Sequence, residues 1–136
     1  MIAWIECAGL VPYLAGVVAS ADEAARLQAT MRPDAAQSSR IQLRDDLEWP
    51  CFIVESSDGF TFCTAEEATT LIAGHSRSGL LDDEDRRLTV YHIVGPFVPN
   101  VPGRDEVGRL THTHLGATEA AGVAANGIGF SWRMFH

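Results

Sequence analysis

Apolar and polar positions along the chain fall into short segments with two distinct periods. Residues 1–7 (MIAWIEC) and 11–19 are rich in β-branched and aromatic residues and flank Gly9, which predicts two strands around a turn. Ser20-Ala21-Asp22-Glu23 then reads as a capping box, in which the Ser20 hydroxyl accepts from a free backbone N–H and Glu23 reaches back to the cap. Ala24, Leu27 and Met31 follow at helical spacing, and Pro33 is expected to end that helix. Residues 40–44 predict a short strand. Pro50 opens a further strand over 51–55, and Ser56-Ser57-Asp58-Gly59 turns the chain into 60–63, the clearest hairpin in the sequence.

Pairing Glu55 with Phe60 puts Cys51, Ile53, Phe60 and Phe62 on one face of that hairpin, and Phe52, Val54, Thr61 and Cys63 on the other. Both faces are largely apolar, so the hairpin is expected in the middle of a sheet or covered on both sides. Thr64-Ala65-Glu66-Glu67 is a second capping box, with Ala68, Leu71 and Ile72 forming the apolar side of its helix. The two strand–helix openings, at Ser20 and Thr64, resemble each other closely enough to suggest a duplicated unit. Residues 74–87 read as an exposed polar loop, 88–94 (LTVYHIV) as a buried strand, and 95–103 (GPFVPNVPG) as a stiff extended segment or a strap over a sheet edge. A strand over 109–115, a short helix over 117–125 and a closing strand over 128–135 complete the reading.

These elements predict an α+β fold: an antiparallel or mixed sheet of about six or more strands with two main helices packed on it, forming a single globular domain over 1–136. Length and composition agree. The 136 residues are 46% hydrophobic and 21% charged, which suffices for one core without disulfide or metal staples. No apolar run approaches the roughly 18–20 residues needed to span a bilayer. The most apolar stretch, 10–19, is interrupted by Pro12 and Gly16 and lacks a preceding basic region, so a cytoplasmic location is expected. Cys7, Cys51 and Cys63 are few and odd in number; they are expected as buried core thiols.

All ten basic residues are arginine. The absence of lysine suggests a GC-rich bacterial genome and excludes a P-loop lysine, a Schiff-base lysine and a lysine general base. Gly74-His75-Ser76-Arg77-Ser78 departs from the nucleophile elbow at its last position and follows a helix instead of a strand. Gly127-Ile128-Gly129 lacks the third glycine of a dinucleotide fingerprint. His112 and His114 alternate with threonine, so a strand would aim both imidazoles to one side, as a shared metal ion requires. Neither a third ligand at a diagnostic spacing nor a cofactor motif accompanies them. A small metal- or histidine-dependent enzyme centred on this pair is the alternative reading; no resident metal or cofactor is expected.

The net charge of −8 disfavours nucleic acid and anionic membrane and favours a basic partner. Two acidic clusters stand out: Asp45, Asp46 and Glu48 beside Trp49, and Asp82, Asp83, Glu84 and Asp85. Phe97, held in the proline-rich segment, is a candidate aromatic anchor. In size, charge and lack of catalytic signatures, though not in alignable residues, the chain resembles the small acidic bacterial immunity or antitoxin proteins that neutralise a cognate toxin. That resemblance implies a non-enzymatic binding protein that covers the active site of a basic toxin through these nine residues. Homo-oligomerisation is left open.

Overall fold

The computed structural model describes residues 1–57, 59–82, 85–99 and 110–135. The fold is α+β, but the strands form two sheets instead of one. The chain divides into two compact units, Met1–Pro50 with Ile93–Leu110, and Cys51–His92 with Thr111–His136.

In the first unit, β1 (Ile2–Cys7) pairs antiparallel with both β2 (Tyr13–Val18) and β3 (Ser39–Arg44), giving the order β2-β1-β3. Ile5 faces Gly16 and Glu6 faces Leu14, so Ala15 is the extra residue of a bulge. One face of β1 sends Ala3, Ile5 and Cys7 into a core with Val18, Ala24 and Val98. Helix α1 (Ala21–Ala29) lies against it through Ala24 and Leu27. A Cβ on Gly16 would come within 2.5 Å of the Leu27 side chain, so this glycine lets the helix approach β2 closely.

Ser20 caps α1 as expected, accepting from the Glu23 N–H at 3.1 Å. The helix stops at Thr30, before the proline. Pro33 opens a separate short helix, α2 (Pro33–Gln37), because its missing N–H and fixed φ suit a first helical turn.

The second unit repeats the order hairpin, helix, strand. Strands β4 (Cys51–Ser56) and β5 (Gly59–Cys63) pair antiparallel, with Glu55 opposite Phe60 as read from the sequence. Gly59, at φ 120°, occupies a conformation that side chains avoid. Helix α3 (Ala65–Arg77) follows, then β6 (Leu88–Ile93), which lies beside β4 as β3 lies beside β1. Strand β7 (Leu110–Leu115) extends the sheet to β5-β4-β6-β7. β5 is thus an edge strand, and of the hairpin's two strands β4 alone is internal, beside β6.

The Thr64 capping box is complete: its hydroxyl accepts from Glu67 N–H at 3.2 Å, and Glu67 accepts from Thr64 N–H at 3.0 Å. Replacing Thr64 with alanine should cost about 0.5–2 kcal/mol in urea unfolding; a change near zero would mean that the helix end is satisfied otherwise. The helix runs to Arg77, so His75, Ser76 and Arg77 are helical and not part of the expected loop.

Helices α3, α4 (Ala117–Asn126) and α5 (Ile128–Phe135) cover one face of this sheet. Their core joins Phe52, Val54, Cys63, Leu88, Val90 and Leu115 to Ile72, Val123, Ile128 and Trp132. The expected closing strand over 128–135 is therefore a helix. Gly127, at φ 82°, turns the chain after α4, and Ile128 N–H donates to Thr69 Oγ1 of α3 at 3.0 Å. Ile128, Ser131 and Trp132 are buried at helical spacing, whereas Phe130 and Met134, which a strand would align with Ile128, are 49% and 68% exposed. Among the described residues there are five helices, not two main ones, and seven strands shared between two sheets. All three cysteines are buried and none is in a disulfide.

Candidate functional site

The first acidic cluster is a pinned turn. Beyond β3, Leu47 is only 1% exposed, while Asp45, Asp46 and Glu48 around it face solvent and Trp49 is half-buried. Arg44 clasps the next turn with a bidentate fork, Nε and Nη2 donating to the two Asp46 carboxylate oxygens at 3.1 and 2.8 Å. The hydrogen bond from Arg44 holds the Asp46 carboxyl below the usual carboxylate range. Arg44 thus offsets the charge of Asp46, and Asp45 and Glu48 carry the cluster's outward charge.

The other sequence-predicted residues are placed elsewhere. Phe97 is half-buried and paired with Val17 on the outer side of β2, exchanging backbone hydrogen bonds of 2.8 and 2.9 Å. It straps the edge of the first sheet opposite to β3, the strand that leads into Asp45–Trp49. Asp82 and Asp85 belong to the second unit. Asp82 Oδ1 accepts from the N–H groups of Asp85 and Arg86 at 2.6 and 3.1 Å, so this carboxylate shapes its own turn. Asp83 and Glu84 lie outside the described residues. The most exposed apolar side chains of the first unit were not singled out in the sequence: Leu10 and Val11, at the tip of the β1–β2 hairpin.

The face of the second sheet turned away from α3, α4 and α5 carries a polar row that the sequence reading only half identified. Leu88, Val90 and Leu115 point into the helical core, so Thr89, Tyr91, His112 and His114 point the other way. His112 and His114 are exposed and their ring centroids lie 5.6 Å apart. Thr89 Oγ1 is 3.0 Å from His114 Nδ1, and the Tyr91 ring lies 5.8 Å from that of His112. Tyr91 donates its hydroxyl to Glu55 Oε2 at 3.0 Å. Among the described residues, no group of three or more His, Cys, Asp or Glu is placed to hold a metal ion.

Burial, reinforced by the Glu55 carboxylate, pushes the Tyr91 phenol up to about 12. Because this lies above the ordinary phenol value of about 10, its contribution to stability is complete below about pH 10 and is lost as pH rises toward 12. In a phenolate absorbance titration of the folded protein, Tyr91 should ionise late, and Glu55→Gln should bring it down. An unchanged titration in that variant would mean that Glu55 does not hold the hydroxyl.

His92 lies on the helical side of β6. Its ring sits 4.7 Å from Phe52 and 5.5 Å from Trp132, measured between centroids, which makes it part of an aromatic cluster at the edge of the core. Gly74, His75, Arg77 and Ser78 of the rejected elbow line an open surface groove of about 450 Å³ with Thr70, Leu71 and Leu80. No helix among the described residues is long and apolar enough to cross a membrane.

Comparison with protein-family models, with characterised proteins and with solved structures gives no significant match to any of them.

Proposed function

We propose that this chain is a non-enzymatic acidic binding protein of the bacterial immunity or antitoxin type, acting in the cytoplasm on a basic protein toxin. The observation that carries this reading is the pinned turn. Leu47 anchors it in the interior and Arg44 clasps it, so the backbone that carries Asp45, Glu48 and Trp49 is held before binding and less of it has to be ordered. Two outward carboxylates beside an aromatic ring combine electrostatic steering with an anchor able to lose its remaining exposure. The net charge of −8 adds a long-range field that attracts a basic partner and disfavours nucleic acid and anionic lipid.

The test is co-expression with the product of the reading frame next to the gene, followed by binding kinetics with that product once purified. The wild-type chain should restore growth. Asp45→Arg with Glu48→Arg should slow association severalfold at low salt and flatten its salt dependence, since exposed charges act over a Debye length of about 10 Å at 0.1 M. Failure to restore growth, or kinetics indifferent to both reversals, sinks the reading. The paired imidazoles favour the alternative of a histidine-centred enzyme, but the described residues supply no third metal-holding group beside them.

A further inference from the structure

We propose that β7 is a metal-dependent pairing edge: two copies of the chain join β7 to β7 antiparallel about Thr113 and hold one zinc ion between His112 and His114 of each copy.

The first support is the donor set. Two exposed imidazoles project from one face of one strand, with centroids 5.6 Å apart. Zinc held by imidazoles takes about four ligands in a tetrahedron with Zn–N distances near 2.0–2.1 Å. One chain offers half that set, and no third His, Cys, Asp or Glu completes it among the described residues. A two-fold axis through Thr113 supplies the other half. It sets His112 opposite His114 of the second copy, and His114 opposite its His112. Directly opposed residues of an antiparallel ladder share a face, with Cβ atoms about 4.5–5.5 Å apart. All four imidazoles then project on the side away from α3, α4 and α5.

The second support is the orientation of the ligands. Thr89 Oγ1, 3.0 Å from His114 Nδ1, can accept its N–H, which leaves Nε2 as the nitrogen with the lone pair. Such an oxygen partner behind the ring is the usual companion of a metal-bound histidine. The imidazole-only set selects zinc, nickel or copper over magnesium and calcium.

The third support is the edge itself. Exposed strand edges are normally blunted by charge, proline or a covering segment. In the first sheet, β3 carries Arg40 and Arg44, and Phe97 covers β2. Strand β7 ends the second sheet among the described elements, and its sequence LTHTHL contains no carboxylate, lysine, arginine or proline. Its two histidines are the positions a shared metal ion would use.

The experiment is light-scattering mass measurement of the full chain after adding zinc sulfate, with magnesium sulfate as control, and calorimetric stoichiometry. The expected result is a twofold rise in mass with one zinc per two chains, reversed by chelator and absent with magnesium. His112→Ala and His114→Ala should each abolish the doubling; circular dichroism confirms that these exposed substitutions leave the fold intact. Thr113→Lys keeps both histidines but sets two like charges opposite each other on the axis, and should weaken the dimer severalfold. One zinc per chain without a mass change, no zinc-dependent mass change at all, doubling that survives loss of both histidines, or indifference to Thr113→Lys would each overturn the proposal.

Discussion

Replacing Trp132 with alanine should lower the free energy of unfolding by about 3–5 kcal/mol, the range for removing a large buried aromatic. The side chain is 7% exposed and sits where α5 meets the sheet. Its ring meets Phe52 edge-on at 5.8 Å and lies tilted to His92 at 5.5 Å. One turn earlier, Ile128 enters the same core. Truncation therefore opens a cavity between helix and sheet and removes two ring contacts, each worth about 0.5–1.5 kcal/mol beyond area burial. Urea unfolding followed by far-ultraviolet dichroism gives the number. Phe130→Ala is the matched control, since that ring is half exposed and its loss should cost far less. Equal costs at 130 and 132 would be the signature of a strand, in which both side chains share a face, and would overturn the helical assignment of this segment.

The second large effect is expected at Trp49. If the pinned turn is the binding surface, Trp49→Ala should raise the dissociation rate from the proposed partner about 30-fold or more, the equivalent of a hot spot of about 2 kcal/mol. Association should change little, because the steering carboxylates remain. The distinction from Asp45→Arg with Glu48→Arg is kinetic: one change acts on leaving, the other on arriving. Urea unfolding of Trp49→Ala checks that the variant is folded under the binding conditions. A folded variant with an unchanged dissociation rate would remove Trp49 from the interface.

The features legible in the sequence were those that depend on neighbours along the chain. Ser20 and Thr64 announce helix starts because a cap acts on N–H groups two or three residues away. The β4–β5 register followed from a turn and a period of two. What escaped depends on partners distant in sequence. Nothing local tells β1 to pair with β3, or β4 to lie beside β6, so the strand-like segments read as one sheet. Residues 128–135 are too short and too apolar for a period of two to be told from 3.6 without knowing which side chains are buried. The candidate site shows the same division. The acidic clusters were visible as composition, and Arg44 could have been noticed two residues before Asp46. That Asp82 ties its own turn, and that Tyr91 reaches Glu55, requires the folded chain. The alternation of His112 and His114 was legible; the Thr89 partner behind one ring was not.

The strap at Phe97 bears on synthesis. The first unit is discontinuous: Val98 belongs to its core and Phe97 closes the edge of β2, yet both follow the whole of β4, β5, α3 and β6 in the chain. A nascent chain that has emerged only to Pro50 has the hairpin and α1 but an open β2 edge and a core lacking Val98. Such an edge is a template for pairing with another chain. During translation, the amino-terminal sheet must therefore wait for its last strand-like residue until most of the second unit has left the ribosome, and this interval is when newly made copies are most exposed to one another.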